Sequence, residues 1–292
     1  MVAVSVGGTG AIGDLETYRV GGATVAVSGV TRLGTGAWIH PTCHPVNGTP
    51  VIFALHNVFV ATNAGFNATG RGNGGYLEPP PPVFYGLGVP SIEGSGGSYG
   101  GLGGGTPGAT YGYVYAPYHA GSPGRNLKTG FGWGGGALRI DAERFELAGK
   151  LLADGKSNEN YGNGAGSGGS IWLTCRRFIP DVDAGARVSA AGGWATQHGT
   201  CGAGGGGRVC IITGDPSDER IAGLYDTGDP GRLVVVSDDL TDPAASPYPG
   251  LVNVSGGMNT QNQSNPDYDK HGDPGTAVLL DAGPKESVLV IR

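Results

Sequence analysis

The sequence predicts an all-β chain, wound as a parallel β-helix with long Gly-rich loops, on three observations. A Gly-Gly step leading into a strand with alternate apolar residues recurs as Gly135-Gly136-Ala137-Leu138-Arg139-Ile140, Gly168-Gly169-Ser170-Ile171-Trp172-Leu173 and Gly206-Gly207-Arg208-Val209-Cys210-Ile211, and more loosely from Pro274 to Leu279. A second phrase precedes three of these runs, as Leu151-Leu152-Ala153-Asp154-Gly155, Val188-Ser189-Ala190-Ala191-Gly192 and Val252-Asn253-Val254-Ser255-Gly256, with another copy from Phe66 to Gly70. Helical periodicity is nearly absent. Units that repeat at short spacing and cannot bury an apolar face alone bury it by stacking.

In chain order, strand-like stretches at Thr24-Val25-Ala26-Val27 and Ala37-Trp38-Ile39, set off by Gly21-Gly22 and Gly34-Thr35-Gly36, open the fold. Val51 to Leu55 occupies the same slot as Leu138 and Ile171. Ala142 to Leu152, the one stretch with a helical rhythm, reads as a turn between two strands. Further strands are expected at 232–236 and 287–291. The segment before Gly34 and the strand Val288 to Ile291 are expected to cap the two ends, where unpaired edges would otherwise invite polymerisation.

Stacking the phrases fixes a register. Leu138, Ile171, Val209 and Ala277 form one inward ladder and Ile140, Leu173, Ile211 and Leu279 a second, with Arg139, Trp172 and Cys210 in the outward row. Arg139 and Trp172, roughly 4.8 Å apart across neighbouring strands, are placed for cation–π stacking. Cys175 takes inward parity and Cys210 outward, which disfavours a bridge between them. Cys43, Cys175, Cys201 and Cys210 are expected as free thiols.

Composition narrows the function. With 60 glycines among 292 residues but no every-third-residue period, the chain is not collagen. A charged fraction of 14% and a net charge of -6 argue against a disordered chain and against a nucleic-acid surface. No apolar run reaches the roughly 20 residues of a membrane span. The first residues, Met1 to Gly7, lack the basic and apolar regions of a signal peptide, which fits either cytoplasmic assembly or a removed leader. The chain is expected as one domain, residues 1–292, carrying a Tyr-, Gly- and Pro-rich insertion at about 71–134. Seven of the 12 tyrosines lie in that insertion, beside Pro79 to Pro82.

The segments Gly166 to Leu173, Val188 to Gly193 and Gly204 to Val209 resemble the glycine-rich parallel β-helix repeats of bacterial surface and adhesin-like proteins and of phage tail-fibre or minor tail proteins. With its weaker outer copies the resemblance covers about two-thirds of the chain. It implies a scaffold displayed on a virion or cell surface, binding a host glycan or protein receptor, associating with other virion or appendage subunits, and open to homo-oligomerisation. Related solenoids also include polysaccharide lyases and glycosidases, so an enzyme stays open, as does a filament-forming or adhesin subunit.

No catalytic residue, metal set or cofactor is expected. The same-parity pairs Asp141/Glu143 and Asp181/Asp183 read as edge charge or turn caps. The group His40-Pro41-Thr42-Cys43-His44 has no partner cluster, and Asp267 to Asp273 lacks the distal Glu of a calcium loop. His56, His119 and His198 stand apart from any nucleophile elbow. Binding is expected at aromatic residues in loops, which offer an apolar face at small entropic cost: Tyr99, Tyr111, Tyr113, Tyr115, Tyr118, Trp133 and Trp194. The competing reading is that the tyrosines pack the insertion against the strands.

Overall fold

Strands with one apolar face bury it by pairing edge to edge and then packing face to face. The computed structural model describes residues 23–44, 46–76, 83–125, 132–158, 162–196, 201–230, 233–262 and 270–282. Its strands in chain order are β1 (Ala23–Leu33), β2 (Trp38–Ile39), β3 (Val51–Val60), β4 (Gly65–Asn67), β5 (Gly75–Tyr76), β6 (Val83–Phe84), β7 (Ala137–Leu147), β8 (Lys150–Leu152), β9 (Ser170–Pro180), β10 (Arg187–Ser189), β11 (Arg208–Thr213), β12 (Val234–Ser237), β13 (Val252–Asn253) and β14 (Thr276–Asp281). Among the described residues an α-helix, α1 (Glu219–Thr227), lies between β11 and β12, and a single 3-10 turn, Thr260–Asn262, follows β13.

The repeated phrases pair in the expected register. Leu138 lies beside Ile171, Ile171 beside Val209 and Val209 beside Ala277; Ile140, Leu173, Ile211 and Leu279 follow two residues on. Val51 and Phe53 extend both ladders into β3. The second phrase builds the facing sheet, where Ile39, Phe66, Leu151, Val188 and Val252 stand in one row. Between the two sheets a single cluster is buried, including Phe53, Phe66, Leu138, Phe145, Leu151, Ile171, Val188 and Ile211. Burying each such side chain contributes roughly 1.5 to 3 kcal/mol. All four cysteines are free thiols, and Arg139 sits 4.8 Å over the Trp172 ring.

The parallel β-helix is corrected. The strands form a seven-stranded mixed sheet, ordered β1-β3-β7-β9-β11-β14-β12, a five-stranded parallel sheet, ordered β13-β10-β8-β4-β2, and an antiparallel pair, β5-β6. The 232–236 strand is displaced to β12 and runs antiparallel to β14. The Gly-rich stretches, expected as loops, instead pack side by side as extended segments bonded through their backbones.

Segment 164–169 shows the pattern. Gly164 and Ser167 N–H donate to Arg125 and Ser122, Ala165 and Gly168 to Gly202 and Gly205, and Gly166 and Gly169 to Lys156 and Ala153. Bonds return to the same neighbour every three residues, as an extended three-residue-per-turn helix presents its donors. Segment 202–207 repeats this, with Gly202 and Gly205 donating to Gly94 and Gly97, Ala203 and Gly206 to Lys270 and Asp273, and Gly204 and Gly207 to Gly193 and Ala190. Neighbours run in both directions, because partner numbers rise along some pairs and fall along others. Where the chain turns a Cα toward a neighbouring backbone there is no space for a side chain, so a Cβ at Gly168, Gly204 or Gly206 would overlap the carbonyl oxygens of Ala190, Gly166 or Val254.

Three other expectations change. The 142–152 stretch is mostly strand, since β7 runs to Leu147 and only Ala148 and Gly149 make the turn. Helix α1 was not expected; Asp218 caps it by accepting the Arg220 N–H, and Gly228, at φ 65, closes it by donating to the Leu224 carbonyl. The presumed N-terminal cap, β1, is an edge of the large sheet with Val30 54% exposed. Residues 1–22 and the 287–291 stretch lie outside the described residues.

Candidate binding surface

The outer face of the large sheet is apolar where Trp172, Cys210, Ile212, Val278 and Leu280 project, so it needs a cover. Residues 114–118 of the insertion and Ile221 and Leu224 of α1 supply one, forming a second core over that face. The five tyrosines singled out from the sequence divide accordingly. Tyr99 is fully buried and Tyr118 nearly so; Tyr111 and Tyr115 are half-buried; Tyr113, 40% exposed, leans its ring over Gly228.

One cation fastens this cover. Arg208, buried in β11, donates from Nε and Nη2 to the Tyr111 carbonyl (3.0 and 2.9 Å) and from Nη1 to Thr276 Oγ1 (3.0 Å). Its guanidinium lies 5.5 Å from the Tyr99 ring centre. Tyr111 Oη in turn donates to the Ala120 carbonyl at 2.6 Å. His119 stacks on Tyr118 at 4.3 Å and meets Tyr111 edge-on at 5.7 Å.

Burial, and then the Arg208 charge, lower the His119 pKa to about 4 from an ordinary 6.5. Between these values the unfolded chain binds the proton and the folded one does not, so the stabilisation is complete above about pH 6.5 and is lost as pH falls toward 4. Chemical denaturation at pH 7 and pH 4.5 should differ by up to about 3 kcal/mol from this residue. His119→Gln should remove the corresponding slope.

The two tryptophans stand elsewhere. Trp133 is half-buried, its indole against Gly74 and its carbonyl accepting the Lys156 N–H (2.9 Å). Trp194 is 44% exposed. Bridges from Ala195 to Asn158 and Asn259 set Ser157, Trp194 and Met258 abreast on neighbouring parallel segments, roughly 4.8 Å apart. Met258 is 39% exposed, which makes an apolar strip with Trp194.

The bed under this strip is fixed. The Trp194 N–H donates to Ser157 Oγ at 3.0 Å, and Thr260 Oγ1 donates to the Thr196 carbonyl at 3.0 Å. Below it, Asn259 is fully buried and donates from Nδ2 to the Cys201 carbonyl at 2.8 Å. Lys156, Ser157, Ser255 and Gln261 are exposed around it. An indole face beside a thioether, ringed by hydroxyl, amide and ammonium groups, matches the C–H face and peripheral hydroxyls of a sugar ring. The sequence signalled Trp194 through its loop context but gave no sign of Met258, which is placed there only by pairing between glycine segments.

Most of the remaining candidates are tied up locally, while His40, His56 and Asp183 are exposed. Asp141 pairs with Arg139 at 3.2 Å and Glu143 with Arg176 at 2.6 Å, while Asp181 Oδ1 accepts the Ala184 N–H at 2.9 Å. Burial raises the Asp141 pKa, opposed by Arg139. His44 Nδ1 accepts the Val46 and Asn47 N–H groups, and Cys43 Sγ accepts that of Ala137 at 3.0 Å. Burial pushes the Cys43 and Cys175 thiols up to about 12, far from a thiolate nucleophile. Among the described residues no group of three His, Cys, Asp or Glu is placed to hold a metal ion, and none of the helices is long and apolar enough to cross a membrane. His198 and Asp267 to Asp269 lie outside the described residues. No family model, curated protein or solved structure matches this chain.

Proposed function

We propose that the protein is a non-enzymatic adhesive component of a virion tail or a cell surface, and that it holds a cell-surface glycan on the Trp194–Met258 strip. The observation that carries this reading is a large aromatic side chain left 44% exposed on a backbone bonded to several neighbours at once. Binding on a bed already ordered avoids the entropic cost of fixing a loop when the ligand arrives. The resemblance of the Gly-rich phrases to tail-fibre and surface-protein repeats favours the same setting.

Trp194→Ala should weaken adhesion to glycan-bearing cells, or retention on a glycan array, at least tenfold, about 1.4 kcal/mol. The thermal midpoint should stay within a degree or two, because the side chain is half in solvent. Unchanged retention with an intact fold would remove this reading.

A second reading, association between copies, is favoured by β1. This strand of 11 residues forms an edge of the large sheet and exposes Val27 and Val30. Long exposed edges template pairing with another strand. Light scattering behind size-exclusion chromatography decides it, and a monomer at high concentration speaks against association.

A further inference from the structure

The outer face of the large sheet is covered by the insertion and α1, but that of the small sheet is open. Its strands turn Phe66, Leu151, Val188 and Val252 into the core, so the alternate residues Asn67, Lys150, Leu152, Arg187 and Asn253 point outward. These are half-buried or exposed and belong to none of the buried clusters. The open face continues into the glycine segments. Val188, Ala190 and Gly192 N–H donate to Leu251, Asn253 and Ser255, a step of two residues, and Ala195 then donates to Met258 after a step of three. Ala153, Gly155 and Asn158 do the same toward Ser189, Ala191 and Trp194. A step of three returns an extended three-residue-per-turn chain to the same orientation. Ser157, Trp194 and Met258 therefore project as Asp154, Ala191 and Ser255 do, on the side of Lys150, Leu152 and Arg187. From Arg187 to Trp194 this platform is roughly 22 Å long.

Charge is placed unevenly along it. Lys150 and Arg187 stand directly opposite each other on β8 and β10, roughly 4.8 Å apart, at the end remote from Trp194. Among the described residues no carboxylate forms an ion pair with either. Like charges directly opposite across a strand pair repel, and an anion between them turns that cost into charge-assisted hydrogen bonds from both. Midway along the platform the Asp154 carboxylate accepts from Ser189 Oγ at 2.6 Å and from the Ala191 N–H at 2.7 Å. Both donors belong to the platform itself, so the carboxylate is held there as a fixed negative charge. Beside it Leu152 is a half-buried apolar contact outside the core.

From a platform with an indole and a thioether at one end and two adjacent cations at the other, we infer that the glycan on the Trp194–Met258 strip is a linear acidic one. It lies along the strands with a carboxylated sugar at Lys150 and Arg187. The inference rests on the reading of the strip as a glycan site. Leu152 meets the C–H face of a sugar ring between the two ends, and Asp154 disfavours a second negative charge midway. A glycan whose acidic sugars are separated by neutral ones meets these conditions, and one charged at every sugar does not.

The test is calorimetric titration of the full chain with a hexasaccharide in which glucuronic acid alternates with N-acetylglucosamine, and with the same oligomer methyl-esterified at its carboxylates. The acidic oligomer should bind at least tenfold more tightly. Combining Lys150→Gln with Arg187→Gln should abolish that difference at an unchanged thermal midpoint, because both side chains point outward. Trp194→Ala should weaken both oligomers alike. Equal affinity for the two oligomers, no binding of either at millimolar concentration, or an acidic preference that survives the double substitution would overturn the assignment. Single-stranded DNA binding as tightly as the acidic oligomer would overturn it too, by making the platform a general anion surface. If the oligomers bind equally and Trp194→Ala weakens both, the strip keeps its glycan and only the acidic assignment fails. If Trp194→Ala leaves both unchanged, the strip reading fails and takes the acidic assignment with it.

Discussion

Gly168→Ala is expected to cost at least about 3 kcal/mol and to leave little folded protein at 37 °C. The added methyl meets backbone on two sides, the carbonyl oxygen of Ala190 and the amide nitrogen of Gly207. Neither can rotate away as a side chain could. Relief requires parting the 164–169 segment from its neighbours, which breaks the Gly168 bond to Gly205 and strains the Gly207 bond to Ala190. Gly223→Ala supplies the contrast: it lies in α1 with open space around a built Cβ, so it should stabilise by about 0.5 to 1 kcal/mol. Denaturant titration of the two variants checks both signs. A mild effect at Gly168 would mean that the segments are not packed backbone to backbone.

Arg208→Met should detach the insertion from the large sheet and cost roughly 3 kcal/mol. Methionine keeps much of the buried volume but removes three hydrogen bonds, leaving the Tyr111 carbonyl without its two guanidinium donors. The loss is local, because the core between the sheets does not contain Arg208. Hydrogen exchange should therefore show lost protection from about residue 99 to 119, while amides of β3, β7 and β9 keep theirs. Uniform loss across the chain would instead make Arg208 part of one global cooperative unit.

The pairing was legible because strand side chains alternate with period two, so one repeated phrase fixes both the partner and the face. Leu138, Ile171 and Val209 had nowhere else to align. The glycine segments were not legible as structure. Their three-residue period resides in the direction of N–H groups, and a residue without a side chain leaves no pattern of polarity to read. The placement of the tyrosines was half legible: Trp172 and Cys210 already stood beside Arg139 in the outward row, and their apolar side chains require a cover that the nearest aromatic-rich segment can supply. Helix α1 carries local signals in its Asp218 cap and closing Gly228, but its nine residues are too few for an apolar period to stand out in the sequence. Met258 could not be joined to Trp194 from sequence, because 63 residues separate two positions that pairing brings abreast.

The glycine segments also bear on how the molecule responds to force. In a sheet each inner strand is held by two neighbours, and peeling an edge opens one bond at a time. Segment 164–169 is held on three sides, and a pull along its axis loads those bonds together in shear. Cohesion of this kind needs no hydrophobic interior, so it persists where the cross-section is only backbone wide. Tension applied across such a bundle is carried by main-chain atoms.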